Sequence, residues 1–383
     1  MTYIKSRLIE SFFPIVLVFG FAIPIAKGGF ILSYVYGLFL FFLVIYLSQK
    51  IIFRNYSIIF AVSIIILMFL SSFIDSLYSG SYWFLRDFIR FPFYLLFLSG
   101  FSFNSRVFSR NICTVLTLLV FVDFVVLFVM AGTPLASIVL KYIAMSGMTD
   151  YLEGYWRHIG VGGNPNFSSF IYAIHAIVCI EVLRLQKSSL TKFISFFYML
   201  GLVVSLFLLV LTFSRTSLLA FVVAAILMYF RFKYLPYVAF VILAVVVYLI
   251  FAPDFADKLS SRLTSFSSFQ NRIDMWIELY TYYDFKAMLL GSALPIHINV
   301  VDNDYWFFIF RFGIPVSFLI LVSPWVLWFS CRNKDGSKTV LGLLVFYYVA
   351  AFPGGTLTHP KSFIFLVMFL ALICNNGLKN KHE

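Results

Sequence analysis

Charge is what this sequence has least of. Of its 383 residues only 11% are Asp, Glu, Lys or Arg, whereas 62% are hydrophobic and 21% aromatic. A soluble domain needs more polar surface than this composition supplies. Runs of about 20 apolar residues, the length of a bilayer-crossing helix, recur from end to end. The net charge of +12 therefore does not signal nucleic acid, because in a membrane protein the position of each basic residue has to be read first. Cysteine is scarce too. Cys113, Cys179, Cys331 and Cys374 fall in or beside apolar runs or basic loops, and none lies in the two long polar segments. A disulfide framework is thus not expected, and small-residue packing is the expected role. No Cys/His group shows the sequence spacing of a metal site. The internal repeats of an inverted-repeat transporter are missing. The first apolar run follows Lys5 and Arg7 without a small-residue cleavage site, so it reads as an anchor and not a removed signal peptide.

What is present is a succession of apolar runs. Twelve spans are expected, at roughly 9–26, 30–48, 57–74, 87–103, 112–132, 165–184, 193–211, 217–231, 235–251, 304–329, 339–352 and 361–375. The expected fold is all-α: a single polytopic transmembrane domain over 1–383. Every second connection is short and basic, carrying Lys50/Arg54, Arg106/Arg110, Arg184/Lys187/Lys192, Arg231/Lys233 and Arg332/Lys334/Lys338. Basic loops stay in the cytoplasm, which places both termini there. Two long connections, Thr133–Gly163 and Ala252–Asn303, then lie outside. Loops of that size are functional or disordered. These carry Trp, Tyr and paired charges, so they read as ordered, with short interfacial helices in the second.

Four polar constellations stand out against this background. Thr212-Phe213-Ser214-Arg215-Thr216-Ser217 separates two apolar runs. A guanidinium cannot shed its proton and costs about 3 kcal/mol or more at the bilayer centre, so Arg215 must reach an interface or a wet cavity. The segment reads either as a polar hairpin or as an anion site built from Arg215 and the neighbouring hydroxyls. The first long loop ends in Arg157-His158-Ile-Gly160-Val-Gly162-Gly163-Asn164-Pro165-Asn166. Asn164 suits a helix N-cap and Pro165 its first turn. With Arg157 beside the free N–H groups, this is either a capped helix start or a phosphate-binding mouth.

The second long loop holds an amphipathic segment over Gln270–Leu290. Ile273, Trp276, Ile277 and Tyr280 form its apolar face, and Arg272, Asp274 and Glu278 lie elsewhere. Such a helix lies flat at the interface, and Arg272 there is able to face the same cavity as Arg157 and Arg215. Last comes His297-Ile-Asn299-Val-Val-Asp302-Asn303-Asp304-Tyr305-Trp306, leading into a helix with Arg311 and Gly313. The paired acids suit sugar hydroxyls or a proton; alternatively Asp302 or Asn303 caps the helix. Asp304, seven residues before Arg311, is the expected partner of that arginine. Asp123 and His175 sit mid-span on consecutive helices and read as a buried structural pair, or as a proton relay of the kind a transporter uses.

Taken in order, these motifs resemble the bacterial O-antigen polymerase and ligase superfamily over about residues 150 to 325. The matching residues are Arg157…Asn164-Pro165-Asn166, Ser214-Arg215, Arg272…Trp276…Gly291 and Asp302-Asn303-Asp304-Tyr305…Gly313. The resemblance implies a metal-independent glycosyltransferase of the bacterial inner membrane, without a cofactor, whose active site faces the periplasm. Its donor would be an undecaprenyl-pyrophosphate-linked oligosaccharide, taken from the membrane lipid phase. An acceptor hydroxyl attacks the anomeric carbon and undecaprenyl pyrophosphate leaves. Arg157, Arg215 and Arg272 would hold the diphosphate. Asn164, Asn166, Ser214, Trp276, Asn303, Tyr305 and Arg311 would bind substrate. Asp302, Asp304, His297 and Glu278 are candidates for a base. The ligase branch has a His-Asn pair where this chain has Asp302-Asn303, which favours the polymerase branch. A polysaccharide chain-length regulator stands as a candidate partner and nucleic acid does not. A lipid-linked oligosaccharide flippase or other secondary transporter is the competing expectation.

Overall fold

The computed structural model describes residues 2–22, 39–48, 50–51, 99–143, 158–186, 189–229, 267–282, 285–291, 303–352, 357, 360–374 and 376, with 62–63, 65–67, 69–70 and 73. Chain order begins with α1 (Thr2–Arg7), which runs through a π-turn into α2 (Phe13–Ala22). A two-residue strand pair, Lys50–Ile51 against Ser99–Gly100, follows. Then come α3 (Ser105–Asp123), extended by a π-turn over Phe124–Val129, and α4 (Pro134–Ile143). The central helices are α5 (Pro165–Leu185), α6 (Lys192–Leu211) and α7 (Arg215–Tyr229). The second half has α8 (Ser267–Tyr282), α9 (Phe285–Leu290), α10 (Asp304–Cys331), α11 (Ser337–Ala351) and α12 (Pro360–Cys374).

Among the described residues four helical stretches are long and apolar enough to cross a membrane: Ser105–Val129, Pro165–Leu185, Lys192–Leu211 and Asp304–Cys331. Three shorter apolar helices accompany them. The described residues thus make a multi-helix membrane-type bundle but do not reach twelve spans. Expected spans near 57–74, 87–103 and 235–251 lie largely outside them. The span expected over 87–103 does not hold as helix to its end, since residues 99–101 are extended: Ser99 and Gly100 pair with Ile51 and Lys50, and Phe101 bridges Asn376. The span expected over 112–132 starts earlier, because Asn104 caps α3 by accepting from Arg106 N and Val107 N.

Helix α5 is the hub. Its apolar window is 83% buried, against 39% for those of α3 and α6, and it packs on α3, α6, α7 and α11. Its neighbours turn apolar stripes outward. Phe193, Phe196, Met199 and Val203 of α6 are all more than half exposed, at the spacing of one helix face. A contiguous exposed stripe of this kind suits lipid and not water.

The helices alternate in direction, so their ends form two groups. At one end, Gln186 Nε2 donates to Arg106 O (2.8 Å), Arg106 pairs with Asp335 (2.9 Å), and Lys334 Nζ donates to Cys374 O (2.8 Å). Asn111 and Asn104 there hold Glu10 and its backbone. This end collects the basic connections read from the sequence. Cys331 and Cys374 are joined here as a disulfide, Cα atoms 5.0 Å apart. That corrects the expectation of packing cysteines: the two lie far apart in sequence but close the ends of α10 and α12, which pack together.

Candidate functional site

The opposite end carries the polar constellations. Asn164 caps α5, its Oδ1 accepting from Asn166 N at 2.8 Å, with Pro165 in the first turn. Ahead of it the chain folds back as a tight loop. Gly163 N bonds to Gly160 O (3.0 Å), and Ser168 Oγ accepts from Gly162 N (2.9 Å) while donating to Ile159 O (2.5 Å). Gly160 has φ +65, and a Cβ there would overlap the Tyr172 hydroxyl and Ser168, so only glycine fits.

Asp123, at the end of α3, clamps this loop. Its Oδ1 lies 3.1 Å from His158 Nε2, and its Oδ2 accepts from Val161 N (3.2 Å) and from the Tyr172 hydroxyl. Asp123, His158 and Tyr172 are all buried. A buried carboxylate needs several donors to offset its desolvation, and Asp123 has them. Its partner is therefore not His175, as the sequence reading had it. His175 lies deeper on α5, bonded through Nε2 to Thr117 Oγ1 at 2.9 Å.

The loop also docks on the Ser-Arg turn. His158 N donates to Leu211 O at 3.0 Å, and Ser169 Oγ lies 2.5 Å from Ser217 Oγ, itself 3.1 Å from Ser214 Oγ. The first turns of α5 and α7 are thus side by side, presenting two positive helix ends together. Phe213 takes φ 50, a left-handed conformation rare for a bulky residue and of the sort found at functional turns. The hydroxyl cluster expected around Arg215 is revised. Thr212, Ser214 and Ser217 are buried and engaged in the turn and the helix contact. Thr216 instead lines open space.

That space is a cleft of about 440 Å³ bounded by Thr216, Leu219, Tyr305, Tyr348, Val349 and Phe352. It brings the Ser-Arg turn to the α10 entrance. There Asn303 is the cap, its Oδ1 accepting from Tyr305 N (3.0 Å) and Trp306 N (3.1 Å). The Tyr305 hydroxyl donates to Tyr348 O at 2.6 Å. Asp304 is buried and accepts the Leu357 N–H at 2.6 Å. Buried Arg311 lies with its guanidinium 5.7 Å from the Phe312 ring.

Helix α8 leans on the rim, its Trp276 ring 5.9 Å from that of Phe352. Leu279 is its fully buried residue, with Met275 and Trp276 packed around Phe310. Ile277 and Tyr280, on the apolar face expected to lie at the interface, are exposed. Leu279, Met275 and Trp276 pack α8 on α10, and its outer apolar residues are left for an interface. The described residues of the segment lie in α8 and α9. Gly291, just past α9, and Gly313 in α10 are the reason those helices meet. A Cβ on Gly313 would overlap the Leu289 carbonyl, and one on Gly291 the Arg311 carbonyl. Gly313, at φ 75, breaks the helical run of α10.

Of the expected site residues, Asn164, Asn166, Ser214, Arg215, Asn303, Asp304 and Tyr305 are therefore gathered at one end, with Trp276 against the rim. Arg272 and Glu278 sit on α8 beside Trp276, Arg272 half-buried and Glu278 exposed. Arg157, His297 and Asp302 lie outside the described residues. Sequence reasoning missed the Asp123–His158–Tyr172 clamp. The signal available was an ionisable residue on each side of a glycine-rich loop. No family model, curated protein or solved structure matches this chain. Fold and site define a class only: a membrane-type helical bundle with a polar, glycine-shaped mouth and an apolar cleft at one end.

Proposed function

We propose that this chain is a polytopic glycosyltransferase that polymerises oligosaccharide repeat units carried on undecaprenyl pyrophosphate, on the extracytoplasmic face of a bacterial inner membrane. The observation that carries this reading is the cleft: Thr216 of the Ser-Arg turn and Tyr305 of the α10 entrance line one space with otherwise apolar walls. A ligand that is apolar along its carrier and anionic at its head fits such a space when cations and helix N-termini stand at its mouth. Arg215 begins α7 there, and Arg157 and Arg272 are assigned to the same diphosphate. In the reaction an acceptor hydroxyl forms the new bond to the anomeric carbon, the bond to the diphosphate oxygen breaks, and undecaprenyl pyrophosphate leaves with the electron pair. Cationic stabilisation of that leaving group is the main catalytic demand. Among the candidate bases, Asp304 already accepts the Leu357 N–H, which suits a structural role; Glu278, His297 and Asp302 are the ones to test. Asp123 holds the loop and is not paired with His175, so the proton relay expected of a transporter loses its motive.

The test uses purified full-length protein in lipid nanodiscs with undecaprenyl-pyrophosphate-linked repeat units. A product ladder is expected, and Arg215→Ala should reduce its rate about 100-fold or more, the scale of losing one preorganised stabiliser of developing charge. Unchanged ladders in the Arg157→Ala, Arg215→Ala and Arg272→Ala variants would overturn the site assignment. Failure to form any ladder, with transport of the same lipid in sealed vesicles, would favour the flippase.

A further inference from the structure

Two cysteines and a histidine meet inside the bundle, away from the cleft. Cys113 on α3 and Cys179 and His175 on α5 are each fully buried, and their ligand atoms lie within 4.8 Å of one another. His175 and Cys179 are four residues apart and so share a helix face. The hydrogen bonds fix the histidine tautomer. Thr117 Oγ1 donates to Cys113 O at 2.7 Å, so towards His175 Nε2, 2.9 Å away, it accepts. Nε2 then carries the ring proton, and the lone pair lies on Nδ1. That atom is buried and has no hydrogen-bond partner among the described residues. The Cys179 thiol donates elsewhere, to Tyr198 O at 3.3 Å. A buried acceptor left unsatisfied is costly and calls for an explanation.

We infer that Cys113, Cys179 and His175 Nδ1 form a binding site for a thiophilic divalent cation of the zinc class. Zinc takes thiolate at about 2.3 Å and imidazole at about 2.0 Å, which needs donor atoms somewhat closer than 4.8 Å; side-chain rotation supplies the difference. Charge selects the valence. As the ion binds, both thiols release their protons to solvent, and two thiolates with a neutral imidazole cancel a divalent charge. A monovalent ion would leave a net negative charge in the bundle interior. Thr117 is the positioning residue: by accepting the Nε2 proton it keeps Nδ1 open to the metal, the arrangement metal-bound histidines use. Gly201 of α6 lets the neighbouring backbone close over the site, for a Cβ there would press on Thr117 and approach His175 Cε1 at 3.5 Å. The ion is structural: His175 is about 15 Å along α5 from Pro165, at a rise of about 1.5 Å per residue. It joins α3 to α5.

The full chain, expressed in medium with and without added zinc and purified in detergent, is assayed for metal by mass spectrometry. About one zinc per chain is expected, falling to background in Cys113→Ser and Cys179→Ser. Thr117→Val should weaken affinity about 10- to 100-fold while keeping both sulfurs. Exchange with Co²⁺ should produce a near-ultraviolet thiolate-to-metal band in the wild type. If the serine variants aggregate, that spectrum decides: no such band overturns the proposal. Zinc content unchanged in the variants, or a peptide in which Cys113 and Cys179 are covalently joined, overturns it as well.

Discussion

At the basic end of the bundle, several contacts run between long flexible side chains and helix-end carbonyls, beside the buried carboxylates Glu10 and Glu181. Lys334 reaches Cys374 O and Asn376 O, Gln186 reaches Arg106 O, and the Arg106–Asp335 pair is half exposed on both sides. At the cleft end, contacts run between short buried groups. Asp123 holds three donors, serines bridge α5 and α7, and glycines bring backbones together. Long side chains on the surface tolerate change, since each contact is screened and weakly constrained. Short buried ones hold a shape closely, because removing one partner strands the others without water. The first end anchors; the second presents a defined mouth.

This contrast breaks most readily at Asp123. Asp123→Ala strands His158, Tyr172 and Val161 N–H in the interior and should destabilise by about 3 to 5 kcal/mol, read as a lowered thermal unfolding midpoint in detergent. A loss below about 1 kcal/mol would mean that the loop is not clamped. Gly313→Ala comes next. Its φ of 75 and the nearby Leu289 carbonyl should cost about 1 to 3 kcal/mol, and because α9 is displaced from α10 the ladder-forming rate should fall with it. The smallest effect belongs to the other end. Asp335→Asn should change stability by less than about 1 kcal/mol, and that difference should shrink as salt rises through about 1 M. An Asp335 effect as large as that of Asp123 would erase the distinction between the ends.

Much of the architecture was legible in the chain because apolar run length and helix-end chemistry are local. The spans expected at 165–184, 193–211 and 304–329 agree closely with α5, α6 and α10, and Asn164 and Asn303 cap where their side chains predict. The grouping of Arg106, Arg184, Lys334 and their neighbours at one end follows from alternation alone. Partner choice was not legible. Asp123 and His175 look matched by depth along the chain. Depth says nothing of rotation about the helix axis, and rotation turns Asp123 to the loop and His175 to Thr117.

Composition and periodicity determined that this is a helical membrane-type protein with its polar chemistry concentrated between spans. They did so because burying apolar surface is a property of each segment by itself. The fold alone decided that the Ser-Arg turn and the α10 entrance share a cleft, that Asp123 grips the glycine loop, and that two cysteines and a histidine from α3 and α5 come together. Each of those depends on how helices rotate and cross, which is set by packing between segments distant in the chain.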